Sequence, residues 1–465
     1  MIKNKHISGS DLLSRELYHA VIEPVLSIAG TRQIYLVGGA IRDLLLGNVP
    51  FDFDFAVSGS GVEFARKFAK KVRGSFVLLS EKDDEARVVL HKTTTFDFNG
   101  FGDKKIVDDL MRRDFTINAL ALNLKKPDKI IDCFYGMRAL KHKLIASVSD
   151  ASLKLDPLRI LRALRLALEL NFKVHQKIFL LAKDINLNDI ASERISYELL
   201  RICESSKSYQ YVKQLYKLGF LRQILPMADE LLQDKDLFGH SLRTYKKAES
   251  LVTSKSFFSQ FASEFSNYFD NFPYRRALLK IAGLLHDIAK PHTQFTTKTG
   301  EMHFYGHDNL GAKIVQRLGY ERLRLSRKQS QMLKTLVQNH MRLHLLATAP
   351  ELTDRAIRRF FRDLGNEYFG LMILTFADGY ATAKMTGHLE RTFNRMMKLK
   401  KADDSKKKIK RLITGDDLIE LGYKPGPEFK PILQELEELQ LDSKIITKQE
   451  GIEYIKLHYP NQANS

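Results

Sequence analysis

The stretch LVGGAIRDLLLGNVPFDFDFAV, residues 36–57, decides the fold of the first part of this chain. Gly38 and Gly39 stand between an apolar strand-like run and a helix-like run, which glycine and proline then break. The segment after the break alternates in residue type, so in a strand Asp52 and Asp54 share one face. The stretch therefore predicts a strand, a glycine turn, a helix and a second strand with two neighbouring carboxylates.

The two faces of this second strand predict different surroundings. Phe51, Phe53 and Phe55 share the face opposite the carboxylates, and we expect all three to pack into a core. The face with Asp52 and Asp54 would be costly without a cation. Oxygen ligands of this kind suit Mg²⁺, which completes its shell with waters and substrate phosphates. The backbone N–H groups of the glycine turn suit those phosphates.

These residues match the signature of a known family. The chain is similar here to the nucleotidyltransferase family of tRNA CCA-adding enzymes and bacterial poly(A) polymerases. The class II branch carries the pattern GG-x-x-RD…D-x-D, which is formed by Gly38, Gly39, Arg42, Asp43, Asp52 and Asp54. The resemblance continues through most of the chain. It implies an α/β nucleotidyltransferase head with a small mixed sheet, followed by an all-α neck and body, an all-α HD domain and a helical tail.

Composition sets limits on size, partner and compartment. The 465 residues are 44% hydrophobic, enough for several domains with real cores. The formal net charge of +19 points to a polyanionic partner, and without a basic amphipathic anchor nucleic acid is favoured over a membrane surface. There is no signal-type N-terminus and no apolar run of about 18 residues, and the two cysteines lack metal-ligand spacing. A reduced, cytoplasmic compartment is therefore expected.

The pattern along the chain predicts four parts. Short alternating strands are expected as far as about residue 98, and helical periodicity dominates after about residue 150. The predicted parts are the nucleotidyltransferase head (1–150), a helical neck and body for nucleotide selection and RNA binding (151–228), the HD domain (229–395), and a basic linker with a helical tail (396–465). The charged run KKADDSKKKIKR, residues 400–411, predicts the linker or an exposed basic helix.

Two further segments of the head contribute candidate site residues. Asp97 lies in another alternating strand, where it is either a third catalytic carboxylate or a surface position. In DDLMRRDFTINALAL, residues 108–122, the resemblance implies that Arg113 contacts a triphosphate while Asp114 and Asn118 organise the site. The implied reaction is phosphoryl transfer, in which two Mg²⁺ ions on the strand carboxylates activate the RNA 3′-hydroxyl and stabilise the leaving pyrophosphate.

The run DPLRILRALR, which begins at Asp156, places an aspartate and three arginines at intervals of three, along one helix stripe. We expect Asp156 to cap this helix and Pro157 to take its first position. The resemblance implies that Asp156 and Arg159 read the incoming base, while Arg162 and Arg165 support the nucleotide. C and A both present a ring-nitrogen acceptor beside an amino donor, whereas U and G present the opposite polarity and would leave buried groups unpaired.

Two departures from the family pattern leave an alternative open. Leu155 stands where a glutamate usually precedes the aspartate, so the base-reading arginine loses a brace. The connection FNGFGDKKIV, residues 98–107, is shorter than the flexible loop of many full CCA-adding enzymes. It resembles the branch that adds only CC and leaves the final A to a second enzyme. ERISYEL, residues 193–199, resembles the family motif ER-x-x-x-EL, whose charges are expected to tie the neck helices together.

The third part carries a set of metal-ligating residue types. LHDIAK around residues 285–290 resembles the doublet of the HD superfamily of metal-dependent phosphohydrolases. The ordered candidate ligands are His240, His286, Asp287, His307, His340 and Asp378. Imidazole and carboxylate together suit a divalent transition metal such as Mn²⁺, Ni²⁺ or Co²⁺. The resemblance implies 2′,3′-cyclic or 2′-phosphate ends of RNA as the substrate class.

The leading hypothesis is a template-independent tRNA nucleotidyltransferase that adds C and A to tRNA 3′ ends from CTP and ATP. A CC-adding enzyme and a poly(A) polymerase are the alternatives within the class, since these enzymes share nearly all head and neck motifs. An HD-type RNA phosphohydrolase that uses the head only to grip RNA is the alternative from another class.

Overall fold

The computed structural model describes residues 12–91, 93–254, 259–383, 386–405, 411–442 and 444–459. The chain divides into two units, the first ending at Gln338 and the second beginning at Asn339. Among the described residues, no helix combines the length and the apolar character that crossing a bilayer requires.

The first unit begins with a mixed seven-stranded sheet, as predicted. Its strands are β1 (Ile34–Val37), β2 (Asp52–Ser58), β3 (Ser75–Ser80), β4 (Glu85–Leu90), β5 (Thr94–Gly102), β6 (Ala121–Asn123) and β7 (Ile130–Ile131). Their order in space is β3-β4-β5-β2-β1-β6-β7. The central pair, β2 and β5, is parallel, whereas β1 runs antiparallel to β2.

An aromatic core covers one face of this sheet. Phe53 and Phe55 of β2 are 2% and 1% exposed, as alternation predicts. They stack with Phe96 and Phe98 of β5, which in turn pack against Phe64 and Phe68 of the helix Gly61–Val72. The prediction for Phe51 is wrong. The chain enters β2 only at Asp52, so Phe51 lies outside the alternating segment and is 68% exposed.

The rest of the first unit is mostly helical. Its described α-helices, the last of which ends one residue past the boundary, are Arg15–Leu17, Glu23–Leu26, Gly39–Leu45, Gly61–Val72, Ile106–Met111, Gly136–Lys141, Asp150–Leu155, Arg159–Leu170, Gln176–Leu181, Ser192–Glu204, Tyr209–Lys217, Phe220–Ile224, Asp229–Gln233, Lys235–Val252, Ala262–Asp270, Arg275–Leu285, Lys290–Thr293, His307–Arg317 and Arg327–Asn339. Two short strand pairs join Leu144–Ile145 to Lys173–Val174 and Phe295–Thr296 to Met302–His303.

A buried polar cluster around Lys280 links three of these helices. Lys280 is fully buried, and its Nζ donates to the Ser205 carbonyl oxygen at 2.6 Å and to Ser208 Oγ at 3.0 Å. The Glu249 carboxylate lies 3.6 Å from the same nitrogen and also accepts from Ser208 Oγ. Burial lowers the pKa of Lys280, because the ammonium has lost its water. The cluster connects the end of the helix Ser192–Glu204 to the helices Lys235–Val252 and Arg275–Leu285.

The described elements of the second unit are all helices, joined by turns and loops. Its helices are Arg342–Thr348, Asp354–Leu364, Tyr368–Ala383, Gly387–Ser405, Gly415–Glu420, Phe429–Leu441 and Lys448–His458. The predicted basic run continues a helix as far as Ser405, and residues 406–410 lie outside the described residues. The last three helices enclose a small apolar core that includes Leu418 and Ile455, so the predicted helical tail is confirmed.

Candidate active site and metal centre

Three carboxylates meet where β2 lies beside β5. The parallel register places Asp54 opposite Asp97, and Asp52 opposite Thr95. The Thr95 hydroxyl donates to Asp52 Oδ1 at 2.5 Å, which fixes the exposed carboxylate. Burial raises the pKa of Asp54, and the neighbouring carboxylates raise it further, while Arg113 opposes them. A cation bound here would relieve this concentration of negative charge.

Asp97 faces the cluster and already has an arginine partner. Across the β4–β5 pair, Arg87 donates to both Asp97 oxygens at 2.7 Å. This two-pronged ion pair holds the carboxylate in one orientation. Asp97 therefore shares the face of Asp54, while Asp52 and Asp54 are the two carboxylates without an arginine clamp of this kind.

The glycine turn packs directly against the carboxylates. Gly38 has φ +73°, and a Cβ placed there would lie 2.4 Å from Asp54 Oδ2 and 2.8 Å from Arg113 Nη1. The Gly39 N–H donates to Asp54. Only glycine fits the first position, because both the backbone conformation and the space exclude a side chain.

A chain of polar contacts surrounds the carboxylates. Arg42 pairs with Asp43 and also donates to Asn118 Oδ1, each at 2.8 Å. Asn118 Nδ2 in turn donates to Asp114 Oδ1 at 3.0 Å, and Arg162 lies 3.0 Å from the other Asp114 oxygen. Burial alone would raise the pKa of Asp114, but Arg162 and Asn118 hold it below its usual value. The residues of 108–122 thus join the head to the helix Arg159–Leu170.

Two adjoining cavities lie among these residues. The first, of about 680 Å³, contains the glycine turn, the three carboxylates and Arg42. The second, of about 350 Å³, contains Asp156 and Arg159. Its lining residues shared with the first cavity are Arg113, Asp114 and Arg162. These three residues form a wall common to the two cavities.

The two predicted base-reading residues line one cavity but do not pair with each other. Asp156 Oδ2 lies 2.8 Å from Arg194 Nη2, in an ion pair with the helix Ser192–Glu204. Arg159 donates from Nη1 to the carbonyl oxygens of Arg113 and Ser152, both at 3.1 Å. Both side chains are therefore held in place before any ligand arrives.

The predicted cap of this helix is shifted. The helix begins at Arg159 with Leu158 as its N-cap, so Asp156 and Pro157 form the preceding turn instead. Asp156 Oδ1 accepts from the Leu158 N–H at 3.3 Å, which stabilises that turn. Leu155, the departure from the family pattern, is 79% exposed.

Arg165 lines the first cavity and also crosslinks the neck. Its guanidinium lies 2.6 Å from Glu198 and 2.8 Å from Glu169, and it is almost fully buried. Arg113 is held in a similar way by Asp109, at 3.0 Å. These buried pairs fix the helices that carry the site, since breaking such a pair leaves an uncompensated charge.

A second candidate centre lies in the helical part of the first unit. Asp287 is 1% exposed, with the Nε2 atoms of His286, His307 and His240 at 3.2, 3.6 and 3.7 Å from its carboxylate. The Nδ1 atoms of His286 and His307 lie 3.0 and 2.7 Å from backbone carbonyl oxygens. Those contacts favour Nδ1–H donors, with each Nε2 directed at the Asp287 carboxylate, and imidazole commonly ligates a metal through Nε2 when Nδ1 is held in this way. Lys290 Nζ also contacts Asp287, at 2.8 Å.

His340 and Asp378, the other predicted ligands, belong to the second unit. His340 is buried, and its carbonyl oxygen accepts from Thr375 Oγ1 at 3.2 Å. Asp378 lies on the helix Tyr368–Ala383, 3.5 Å from His344 Nε2. His344 is thus a site candidate that the sequence pattern did not reveal.

Other neighbours of the site were also missed from the sequence. Arg87 on Asp97 and Arg194 on Asp156 depend on register between strands and between helices, which no local pattern encodes. Lys290 could have been found, because it follows Asp287 by three residues, a spacing at which helical side chains meet.

Three family models match the chain. They are the Poly A polymerase head domain (34–146), the probable RNA and SrmB-binding site of polymerase A (168–232) and the HD domain (237–382). They follow one another along the chain in that order.

Relatives match over nearly the whole length. The CC-adding tRNA nucleotidyltransferase of Synechocystis sp. is 28% identical over 91% of this chain and 92% of its own. The A-adding tRNA nucleotidyltransferase of Deinococcus radiodurans is 29% identical over 90% of this chain and 94% of its own. A solved Thermotoga maritima CCA-adding enzyme complexed with tRNA has a TM-score of 0.64 and 20% identity, covering 97% of this chain and 98% of its own. The last likeness shows a shared fold.

Proposed function

We propose that this chain, which belongs to the tRNA nucleotidyltransferase and poly(A) polymerase family and carries an HD domain, adds C and A to tRNA 3′ ends from CTP and ATP. One observation carries the proposal. The cavity with Asp52, Asp54 and the glycine turn adjoins the cavity with Asp156 and Arg159 through a shared wall. A nucleoside triphosphate spanning the wall would place its phosphates and its base in separately equipped spaces.

The first cavity fits a divalent cation. Asp52 and Asp54 offer hard oxygen ligands on one strand face, and burial raises the pKa of Asp54, a penalty that a cation would relieve. When bound, Mg²⁺ would supply charge neutralisation for the triphosphate and activation of the attacking 3′-hydroxyl. The Thr95 hydroxyl orients Asp52 in advance. Asp97, held by Arg87, adds negative charge to the same face.

The arginines of the shared wall would hold the triphosphate. Arg113 lies against the glycine turn and is aimed by Asp109, so its remaining donors can meet phosphate oxygens. Arg42 and Arg162 approach the same cavity. Arg165 would support the nucleotide through Glu198, by fixing the helix that carries Arg162.

Base choice would rest on Asp156 and Arg159. Asp156 accepts from an exocyclic amino group, and Arg159 donates to the neighbouring ring nitrogen, a pattern that C and A satisfy and U and G do not. Arg194 holds Asp156 and the backbone carbonyls hold Arg159. This preorganisation supplies a brace in the absence of a glutamate at position 155.

The decisive experiment uses tRNA transcripts that end before CCA, after C and after CC. Each is incubated with purified protein, Mg²⁺ and one labelled nucleoside triphosphate, and products are sized to one nucleotide. Addition of C, C and a single A is expected. Long A tails on arbitrary RNA would identify a poly(A) polymerase, and lack of incorporation would refute the proposal. Asp52→Asn, which keeps the size of the side chain, is the matched inactive control.

A CC-adding enzyme is the second candidate, favoured by the structure of one connection. Strand β5 runs without a break to Gly102, and only residues 103–105 separate it from the helix Ile106–Met111. No room is left for a long flexible loop between the carboxylate strand and Arg113. In the same assay this enzyme would stop after CC on every transcript, and a separate A-adding enzyme would have to complete the end.

For the second centre we propose a divalent transition metal and hydrolysis of 2′,3′-cyclic or 2′-phosphate RNA ends. His240, His286 and His307 converge on buried Asp287, a donor set that suits Mn²⁺, Ni²⁺ or Co²⁺. Calorimetric titration of each metal should show binding that Asp287→Asn removes. His292→Ala, at an exposed histidine paired with Glu230, should retain it. Metal binding without hydrolysis of either RNA end would leave the site a structural one.

A further inference from the structure

The side chain of Phe51 is exposed to solvent, although burying it would stabilise the protein. It is 68% exposed, directly precedes Asp52 and lines the 680 Å³ cavity. A phenylalanine ring carries a large apolar surface, so leaving it in water forgoes stabilisation that Phe53 and Phe55 obtain in the core. Val49, two residues earlier, is also exposed and lines the same cavity.

The backbone that presents this ring is fixed relative to the catalytic carboxylate. The Thr95 N–H donates to the Phe51 carbonyl oxygen at 3.2 Å, and the Thr95 hydroxyl donates to Asp52 Oδ1 at 2.5 Å. Pro50, which precedes the ring, is buried. One threonine thus sets both the backbone under the aromatic ring and the orientation of the carboxylate, so the spacing between them is preset.

The ring is placed away from the incoming base. Asp156 and Arg159 line the second cavity, whereas Phe51 lines the first. In a phosphoryl transfer the first cavity must admit, beside the triphosphate, the 3′-terminal nucleotide whose hydroxyl attacks. That nucleotide has to lie next to Asp52, and its base then lies within reach of the adjacent side chain.

The chemistry of an aromatic face matches this acceptor. Every base has a π face, so stacking on phenylalanine accepts any of them without hydrogen-bond readout. An enzyme that extends its own product meets a different 3′-terminal base at each addition. A sequence-tolerant platform suits that requirement, whereas a hydrogen-bonding pocket would not.

We infer that Phe51 is the stacking platform of a subsite for the 3′-terminal base of the RNA acceptor. The inference rests on the proposed function, since it assumes transfer to an RNA 3′-hydroxyl. It makes Phe51 a positioning residue, which places the attacking hydroxyl beside Asp52 without contacting the triphosphate.

The test uses a tRNA transcript whose 3′-terminal base is 2-aminopurine, mixed with the full-length protein without nucleotide. Stacking quenches the fluorescence of this base. Wild type and Phe51→Tyr are expected to quench it, and Phe51→Ala to lose most of the quenching. In steady-state CTP incorporation, Phe51→Ala should raise the KM for RNA about tenfold and leave the KM for CTP unchanged. Val49→Ala, which removes exposed apolar surface from the same segment but no ring, is the matched control.

Several outcomes would overturn the inference. Equal quenching by Phe51→Ala and wild type would do so, and so would a rise in the KM for CTP instead of RNA. Because Phe51 is largely exposed, Phe51→Ala and Phe51→Tyr should unfold at the same temperature as wild type. An effect on RNA binding is thereby separated from an effect on folding. If wild type incorporates nucleotide while Phe51→Ala behaves identically, only this inference fails. If wild type incorporates none, the proposed function fails with it.

Discussion

Replacing Gly38 by alanine tests the geometry of the carboxylate site at its tightest point. The new Cβ would lie 2.4 Å from Asp54 Oδ2, about 1 Å closer than an ordinary contact. The other near neighbour is Arg113 Nη1, at 2.8 Å, so neither side chain can yield without disturbing the other. We expect kcat for CTP incorporation to fall by about 100-fold or more, because a 1 Å misplacement at a reacting centre has effects of that size.

Two matched glycines separate this effect from backbone strain. Gly39→Ala places its Cβ no closer than 3.4 Å to Arg42 and sits at the start of a helix, so it should keep near-wild-type kcat. Gly219→Ala has a similarly positive φ, +75°, but nothing within 4 Å. It should lose about 1–2 kcal/mol of stability through strain alone and keep its kcat.

The assay is single-nucleotide incorporation at saturating CTP and tRNA, with thermal unfolding recorded for each variant. Gly38→Ala should lose more stability than Gly219→Ala, because the contact with Asp54 adds to the backbone strain, and only Gly38→Ala should lose turnover. Full turnover by Gly38→Ala would refute the assignment of Asp54 to the reacting centre. Loss of turnover by all three variants would show that flexibility of the backbone, not the contact with Asp54, is what the site requires.

Four further predictions address the remaining parts of the chain. Asp52→Ala should abolish nucleotide incorporation and spare RNA-end hydrolysis, and His286→Ala should do the reverse; loss of both activities in either folded variant would contradict two separate sites. Lys280→Met should destabilise the protein by about 3–5 kcal/mol in denaturant unfolding, because it leaves buried Glu249 unpaired, and adding Glu249→Gln should restore part of the loss. Burial lowers the pKa of Lys280, so the unfolded chain binds the proton more tightly. Wild-type stability should therefore rise relative to Lys280→Met as the pH approaches the ordinary lysine pKa of about 10.4, and parallel curves would exclude this linkage. Arg194→Gln should reduce the preference for CTP over UTP about tenfold in competition assays by freeing Asp156, the carboxylate that we propose reads the base, and an unchanged preference would show that the ion pair is only structural.

Local periodicity was sufficient for much of the fold. The alternation of β2 predicted the shared face of Asp52 and Asp54 and the burial of Phe53 and Phe55, because side-chain direction in a strand has a period of two. It failed for Phe51, since periodicity does not specify where a strand begins. The mixed sheet and the helical remainder followed from patterns of the same short range.

Contacts between distant segments were beyond such reasoning. Whether Asp97 would join the carboxylates depended on β5 lying parallel to β2 in one particular register. The pairing of Asp156 with Arg194, in place of Arg159, depended on how two helices pack. The buried cluster around Lys280 draws on residues more than 70 positions apart, and no composition or spacing rule anticipates it.

The hydrogen bond from Arg159 to the carbonyl oxygen of Arg113, at 3.1 Å, has a consequence for fidelity. Arg159, which we propose reads the base, thus holds the backbone of Arg113, whose guanidinium lies beside Asp54. A mismatched base that displaced Arg159 would therefore misalign the phosphate-side machinery as well. A wrong nucleotide would then bind less tightly and would also form the new bond more slowly. It would therefore leave the site before it could react.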